Sequence, residues 1–195
     1  MDNQTYLDPG LPEGLELNNT GTGIEITRKW FSVLHIFTGI FALVWCGFLF
    51  FWYSILGSIA APGEETYNFL LIFYLFPLIH VAVGVYLLYY SLCGFFNKTT
   101  ISVDWENLRI KHHPLPWRGN RTIPRSDIKQ LYVKRQESRT RNGISVTYDI
   151  NLITHSGSDI KLVKGLTADE QALFIEREVE KYLHIENVPV RGEYS

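Results

Sequence analysis

Charge is missing from two long stretches of this chain, and that absence decides most of what the protein can be. Residues 30–63 and 66–97 contain no Asp, Glu, Lys or Arg, and only Glu64 and Glu65 separate them. Each stretch exceeds the roughly 20 apolar residues that cross the hydrocarbon of a bilayer as a helix. A backbone in lipid must satisfy its own N–H and C=O groups, so isolated segments of this kind are expected to be helical. Residues 31–59 hold sixteen Leu, Ile, Phe or Val. At about 0.3–0.6 kcal/mol each near a helix centre, these favour insertion by roughly 5–10 kcal/mol. A core hairpin of a soluble protein would need a large surrounding domain, and 98 residues follow. The expected spans are 31–59 and 69–96, a transmembrane hairpin over residues 30–97.

Other scarcities narrow the function. Cys46 and Cys93 are the two cysteines, both inside the apolar stretches, and no Cys–Cys or Cys–His ligand spacing exists. That excludes the usual zinc site, and antiparallel spans would hold the two thiols too far apart for a disulfide. There is no glycine-rich phosphate loop, nucleophile elbow or paired His–Glu metal motif. His112, His113, His155 and His184 fall on different expected elements. The expectation is a protein without catalytic residues, metal or cofactor. Nucleic acid is not an expected partner, because the basic residues lack interleaved aromatic stacking positions.

What is present divides the chain in three. Mean hydropathy is zero and net charge −2 because an apolar third is averaged with polar flanks. Residues 1–29 are acidic, carry Pro9, Pro12 and four glycines, and read as a flexible cytoplasmic tail. Arg28 and Lys29 precede the first span and Lys98 follows the second, whereas the connection over residues 60–68 has no Lys or Arg. The positive-inside rule then places both termini in the cytoplasm. Trp30, and at the other end Trp52, Tyr53 and Tyr67, suit the interfacial aromatic belts. Within the spans His35 and His80 are candidate intramembrane polar sites. Each is expected as a neutral imidazole bonded to a neighbouring carbonyl. Pro77 predicts a kink that frees a carbonyl near Phe73 for His80 or a water. Gly39, Ala42, Gly47, Ala82 and Gly84 offer close helix approach.

From residue 99 the pattern changes to short segments of period two. Ile144, Val146, Tyr148, Ile150 and Leu152 alternate with Ser145, Thr147, Asp149 and Asn151, a half-buried strand. Asn142–Gly143 predicts a tight hairpin to a partner strand over 128–137. About six antiparallel strands are expected. Thr167 with Glu170 then forms a capping-box pattern that starts a helix at Thr167. Its apolar stripe is Ala168, Ala172, Ile175, Val179, Tyr182 and Leu183. The expected fold class is α+β: a two-helix transmembrane hairpin followed, over residues 98–195, by an antiparallel sheet domain closed by a C-terminal helix.

The chain resembles the bacterial membrane-anchored proteins in which a two-helix hairpin precedes a pleckstrin-homology-like (PH-like) domain. The resemblance is carried by Lys29-Trp30-Phe31-Ser32, Trp45, Thr122-Ile123-Pro124-Arg125-Ser126-Asp127-Ile128, Gly165-Leu166 before Glu170-Gln171-Ala172, and Tyr182-Leu183-His184-Ile185. It implies a β sandwich or part-barrel at the inner membrane surface, non-enzymatic, serving protein binding or self-assembly. It also implies anion contact through Lys111, Arg118, Arg121 and Arg125, although the first hairpin lacks the tight Lys-x-Arg pattern of phosphoinositide binders.

Charge polarity gives that contact a second basis. Residues 98–141 hold eleven Lys or Arg against four acids, and residues 142–195 hold five against nine. Lys134, Arg135, Arg139 and Arg141 form a further basic cluster. Anionic lipid attracts about 1 kcal/mol per well-placed cation. The expected role is a membrane-anchored scaffold for a membrane or cytoplasmic protein partner or a homo-oligomer. The alternatives are a module responsive to anionic lipids and an accessory transport subunit using His80. If the apolar stretches lie in lipid, the intact chain stays in the membrane pellet through an alkaline carbonate wash. Its release into the supernatant would refute the two spans.

Overall fold

The structure, a computed structural model, describes residues 10–59, 71–140 and 143–194. In chain order the elements are β1 (Leu15–Asn19), β2 (Gly23–Lys29), α1 (Val33–Ile59), α2 (Leu78–Phe96), β3 (Lys98–Asp104), β4 (Asn107–His113) and β5 (Arg121–Pro124). A 3-10 turn (Arg125–Asp127), β6 (Ile128–Thr140), β7 (Gly143–Thr154), β8 (Asp159–Leu166) and α3 (Asp169–Leu183) follow. The protein is a mixed α+β chain with two long apolar helices and antiparallel sheets. It forms two compact units, one being Trp30–Asn97 and the other the chain before and after it.

In the sheet unit the strands run β1-β2-β3-β4-β5 in one sheet and β6-β7-β8 in another, so no closed barrel forms. Alternation drives the pairing. Ile26, Ile101 and Ile110 are in register across three strands, and Ile24, Val103, Leu108 and Ile123 across four. These rows share one core with Leu131, Val133, Ile150 and Leu152 of the second sheet and with Ala172, Phe174, Ile175, Val179 and Leu183 of α3. Removing a side chain as enclosed as Leu108 typically costs about 2–5 kcal/mol.

The expected flexible tail over residues 1–29 needs correction. Residues 15–19 and 23–29 are strands that extend the first sheet, with Leu17 opposite Ile26 and Lys29 opposite Lys98. Leu15, Leu17, Ile24 and Ile26 alternate with polar residues, a period-two signal that acidic composition masks. Gly21, at φ +77°, turns the hairpin, and Thr20 N–H donates to Gly23 O at 2.9 Å. Residues 1–9 lie outside the described residues, as do residues 60–70 with Glu64, Glu65 and Tyr67, and the pair Arg141 and Asn142.

Two further expectations shift. Thr140 pairs with Gly143, so Gly143 opens β7 rather than sitting at the turn. The C-terminal helix starts at Asp169, with Ala168 at its cap and no capping box. Leu166 is buried at the end of β8 and the chain stays extended through Ala168, so Thr167 lies one residue outside the cap.

In the helical unit α1 runs antiparallel to a helical segment, Leu71–Phe96, that is interrupted by a turn at residues 76–77 before α2. Both helices are long and apolar enough to cross a membrane. Pro77 has no N–H to give the Phe73 carbonyl, and side chains of α1 donate to carbonyls on both sides of it. The Trp52 indole lies 3.5 Å from Phe73 O, the Tyr53 hydroxyl donates to Tyr74 O at 3.1 Å, and the Trp45 indole donates to His80 O at 3.0 Å. Ser91 Oγ donates to His35 O at 2.9 Å. The polar handles of Trp52 and Tyr53 thus point between the helices.

Close approach also follows the small residues, in part. Ala42 is fully buried, Gly39 faces Ser91, and Gly84 faces Trp45 and Cys46. Gly94, not singled out from sequence, admits the His35 ring so closely that a Cβ there would overlap it. Gly47 meets nothing within 4 Å and Ala82 is exposed, so neither serves this packing. Replacing Tyr53 with Phe removes one interhelical donor. The expected loss is about 0.6–1.7 kcal/mol in unfolding of the helix pair, measured by denaturation of the full chain in bilayer discs. An unchanged midpoint would show that the hydroxyl carries no load.

Candidate functional site

The eight basic candidates do not form one site. Antiparallel pairing sets Lys29, Lys98 and His113 in one row at the end of the first sheet, where β2 leaves for α1 and β3 returns from α2. The connection from β4 to β5, residues 114–120, lies at that same end. Lys111, Arg118 and Arg121 are exposed there. The adjacent histidines are held by hydroxyls. His112 Nδ1 is 2.9 Å from Thr99 Oγ1, and His113 Nε2 is 2.9 Å from Thr100 Oγ1. Burial, with the neighbouring His113 second, holds the His112 imidazole below its ordinary pKa. Among the described residues no group of three His, Cys, Asp or Glu converges for a metal.

Arg125 sits at the other end of the first sheet and has a structural task. Its Nη2 donates to Leu183 O at 3.1 Å, at the C-terminal end of α3, where a cation complements the helix dipole. Its guanidinium also stands 5.8 Å over the ring of Trp105, which packs against Tyr182. Lys134, Arg135 and Arg139 lie on β6, all exposed, with Arg135 paired to Glu137 at 3.0 Å. Arg141 lies outside the described residues.

His35 and His80 occupy separate places in the helical unit. His35 Nδ1 is 2.9 Å from Ser32 Oγ, and its ring lies 5.3 Å from Tyr90. The His80 ring stacks on Trp45 at 5.7 Å, and its buried Nδ1 has no hydrogen-bond partner among the described residues. The His35 imidazole thus keeps a bond to a neighbouring carbonyl, that of Ser32, beside the hydroxyl contact, whereas the His80 ring meets Trp45 by stacking.

A buried acid pair is the feature that sequence reasoning missed. Glu176 and Glu180 of α3 are 4% and 5% exposed. β6 is an edge strand, with β7 on one side only. Its outward Leu131 N–H donates to Glu180 Oε1 at 3.2 Å, and its Val133 N–H bonds to the Glu176 carboxyl. Four residues of helix rise about 6 Å and two residues of strand about 6.7 Å, so an i, i+4 carboxyl pair matches alternate edge donors. The Val133 carbonyl receives the Tyr194 N–H at 2.8 Å, so the C-terminal segment covers the same edge. The signal was legible: Ala172, Glu176 and Glu180 recur every four residues, on the side of the helix that carries the apolar stripe.

The second sheet buries polar groups on its other face as well. Tyr132 hydroxyl donates to Asp159 at 2.6 Å and accepts from Asn151 at 2.8 Å. Asp149 holds Lys161 Nζ and the Gly165 N–H, each at 2.9 Å. Asp149 and Asn151, expected to point to solvent, are thus enclosed by cross-strand partners.

Burial first, then the Glu180 and Glu193 carboxylates, pushes the Glu176 carboxyl up to about 7. Burial also pushes Glu180 up to about 7, against the opposing Leu131 N–H. Glu176 Oε1 has no partner among the described residues. A groove of about 390 Å³ lined by Leu173, Glu176, Arg177, Glu180 and Lys181 runs beside the pair. Acids that hold protons more tightly when folded stabilise the fold fully below their unfolded pKa, about 4.5, and lose that contribution as pH rises to about 7. The upper bound is on the order of 3 kcal/mol per carboxyl. Melting of the full chain should fall between pH 5 and 8, and Glu176→Gln should flatten the profile and raise the melting temperature at pH 8. A profile unaltered by Glu176→Gln would remove the acid pair as its cause. In comparisons with known proteins, no family model matches this chain and no curated protein does.

Proposed function

We propose that this protein is a non-catalytic, membrane-anchored module of PH-like type that binds a protein partner, or copies of itself, at the inner membrane surface. One observation carries the reading: the apolar helix pair is inserted between β2 and β3, two paired neighbours of the first sheet. The anchor and the sheet domain are thus joined by two chain crossings rather than one. Support for lipid as the solvent of the helices comes from their outward faces. Only 17% and 11% of their most apolar windows are buried, and Leu43, Val44 and Phe50 stand exposed. A core helix of a soluble protein would be mostly enclosed. Two antiparallel sheets closed by one C-terminal helix support the PH-like reading. Tethering raises effective concentration, so weak contacts suffice for binding.

A second reading, contact with anionic lipid, is favoured by the position of Lys111, Arg118 and Arg121. They share the sheet end with Lys29 and Lys98, the residues that border the helical unit in the chain. A spin label at position 118 of the full chain should be immobilised in discs of anionic lipid and freed as salt rises. Equal mobility in anionic and neutral discs would sink that reading. For the leading one, crosslinking in the native membrane should trap a discrete homo-oligomer or partner adduct through the sheet unit. A chain that stays monomeric in detergent at every concentration, with nothing trapped in the membrane, overturns it.

A further inference from the structure

The edge of β6 is treated in two different ways along its length. Up to Val133 it is closed by the carboxyls of Glu180 and Glu176 and by the N–H of Tyr194. Register with β7 is unbroken from Gln130 to Thr140, so the outward groups continue at Arg135, Glu137 and Arg139. No helix or strand lies against them among the described residues. The last rung of β8 on β7 is Leu166 opposite Tyr148, and Tyr148 lies opposite Arg135. Beyond that rung β6 and β7 continue as a two-stranded ribbon. A ribbon of two strands is marginally stable alone in water, and an open edge of this length is a template for another strand. On the ribbon's core-side face Ile144, 62% exposed, and the half-buried Val146 stand opposite Arg139 and Glu137.

We propose that the β6 edge from Arg135 to Arg139 docks an extended acidic segment of a partner protein, which adds a strand to the ribbon. The backbone groups of Arg135, Glu137 and Arg139 supply the ladder, as in other strand-addition complexes. Charge chooses the occupant. Among the described ribbon residues Arg135 and Arg139 outweigh Glu137, and the three share one face. An antiparallel strand therefore places acids opposite Arg135 and Arg139, four residues apart, and a cation between them opposite Glu137. Cross-strand opposite charges favour this register, whereas like charges directly opposite disfavour others. A second copy of β6 is a poor occupant for the same reason: pairing centred on Glu137 sets Arg135 against Arg139. The acid pair of α3 defines the site's inner limit, since it occupies the outward N–H groups of Leu131 and Val133.

This docking rests on the protein-binding reading above and names the chemistry of its partner. The probe is a capped heptapeptide with two glutamates four residues apart, a lysine midway and valines between. It is titrated against the full chain in discs of neutral lipid, followed by fluorescence anisotropy and amide exchange. The peptide should bind and should protect the amides of residues 135, 137 and 139. Glu137→Pro, which removes an outward N–H that an edge strand tolerates losing, should weaken binding at least tenfold. Arg135→Glu with Arg139→Glu should do the same. Should those variants fold poorly, a peptide methylated on its ladder-forming nitrogens tests the same contact on the unaltered chain, and it should lose binding. No binding at 1 mM, or equal binding by the methylated peptide or by a well-folded Glu137→Pro variant, overturns the proposal. Protection of the same amides by anionic discs without peptide would do so too, assigning the ribbon to lipid. If native-membrane crosslinking still traps its adduct in Glu137→Pro, the ribbon fails as the site while the binding-module reading stands.

Discussion

The pairing of β2 with β3 is the constraint on which the rest of this structure depends. Lys29 faces Lys98 across that ladder, and between those two positions the chain makes its whole apolar excursion. A sheet that opens to admit a helix pair must have both ends of the insertion on neighbouring strands, or the ladder would be broken. The N-terminal hairpin is therefore no appendage. Its second strand completes the sheet and launches the first apolar helix, and its first strand covers what would otherwise be a bare edge of β2.

Within the helix pair the organising fact is a missing donor. Proline at position 77 has no N–H to donate to the carbonyl of Phe73, in a segment whose outward side chains are apolar. Trp52 and Tyr53 reach across to the carbonyls of Phe73 and Tyr74 just before the break, and Trp45 to that of His80 just after it, so donors of the neighbouring helix flank the break. Large aromatic residues thus act here as hydrogen-bond donors that fix register, while Gly39, Gly84 and Gly94 let the backbones approach closely enough for those bonds to form.

The same logic of unmet backbone groups governs the second sheet. An edge strand presents N–H groups that need acceptors, and α3 provides two carboxyls at matching spacing. The cost is that both acids are buried near each other and hold their protons to about 7. The protected half of β6 and its open half consequently differ in chemistry as well as in exposure, acid-capped on one side and cationic on the other.

The sequence by itself determined the elements whose signal is local. Two uncharged stretches yield two apolar helices, alternation over residues 144–152 yields a strand, and the spacing of Ala172, Ile175 and Val179 yields an amphipathic helix. Each follows from a period that any neighbour would respect. Tertiary structure decided what depends on who the neighbour is. Acidic composition hid the strands of residues 15–29, because a strand exists only when another pairs with it. The capping-box pattern at Thr167 falls one residue short of the cap, because the chain stays extended through Ala168. Arg125 left the company of Lys111 and Arg121 because β5 carries it to the opposite end of the sheet. The period of Ala172, Glu176 and Glu180 puts both acids on the stripe side of the helix, but no one-dimensional pattern states which strand is left with an edge for them to meet.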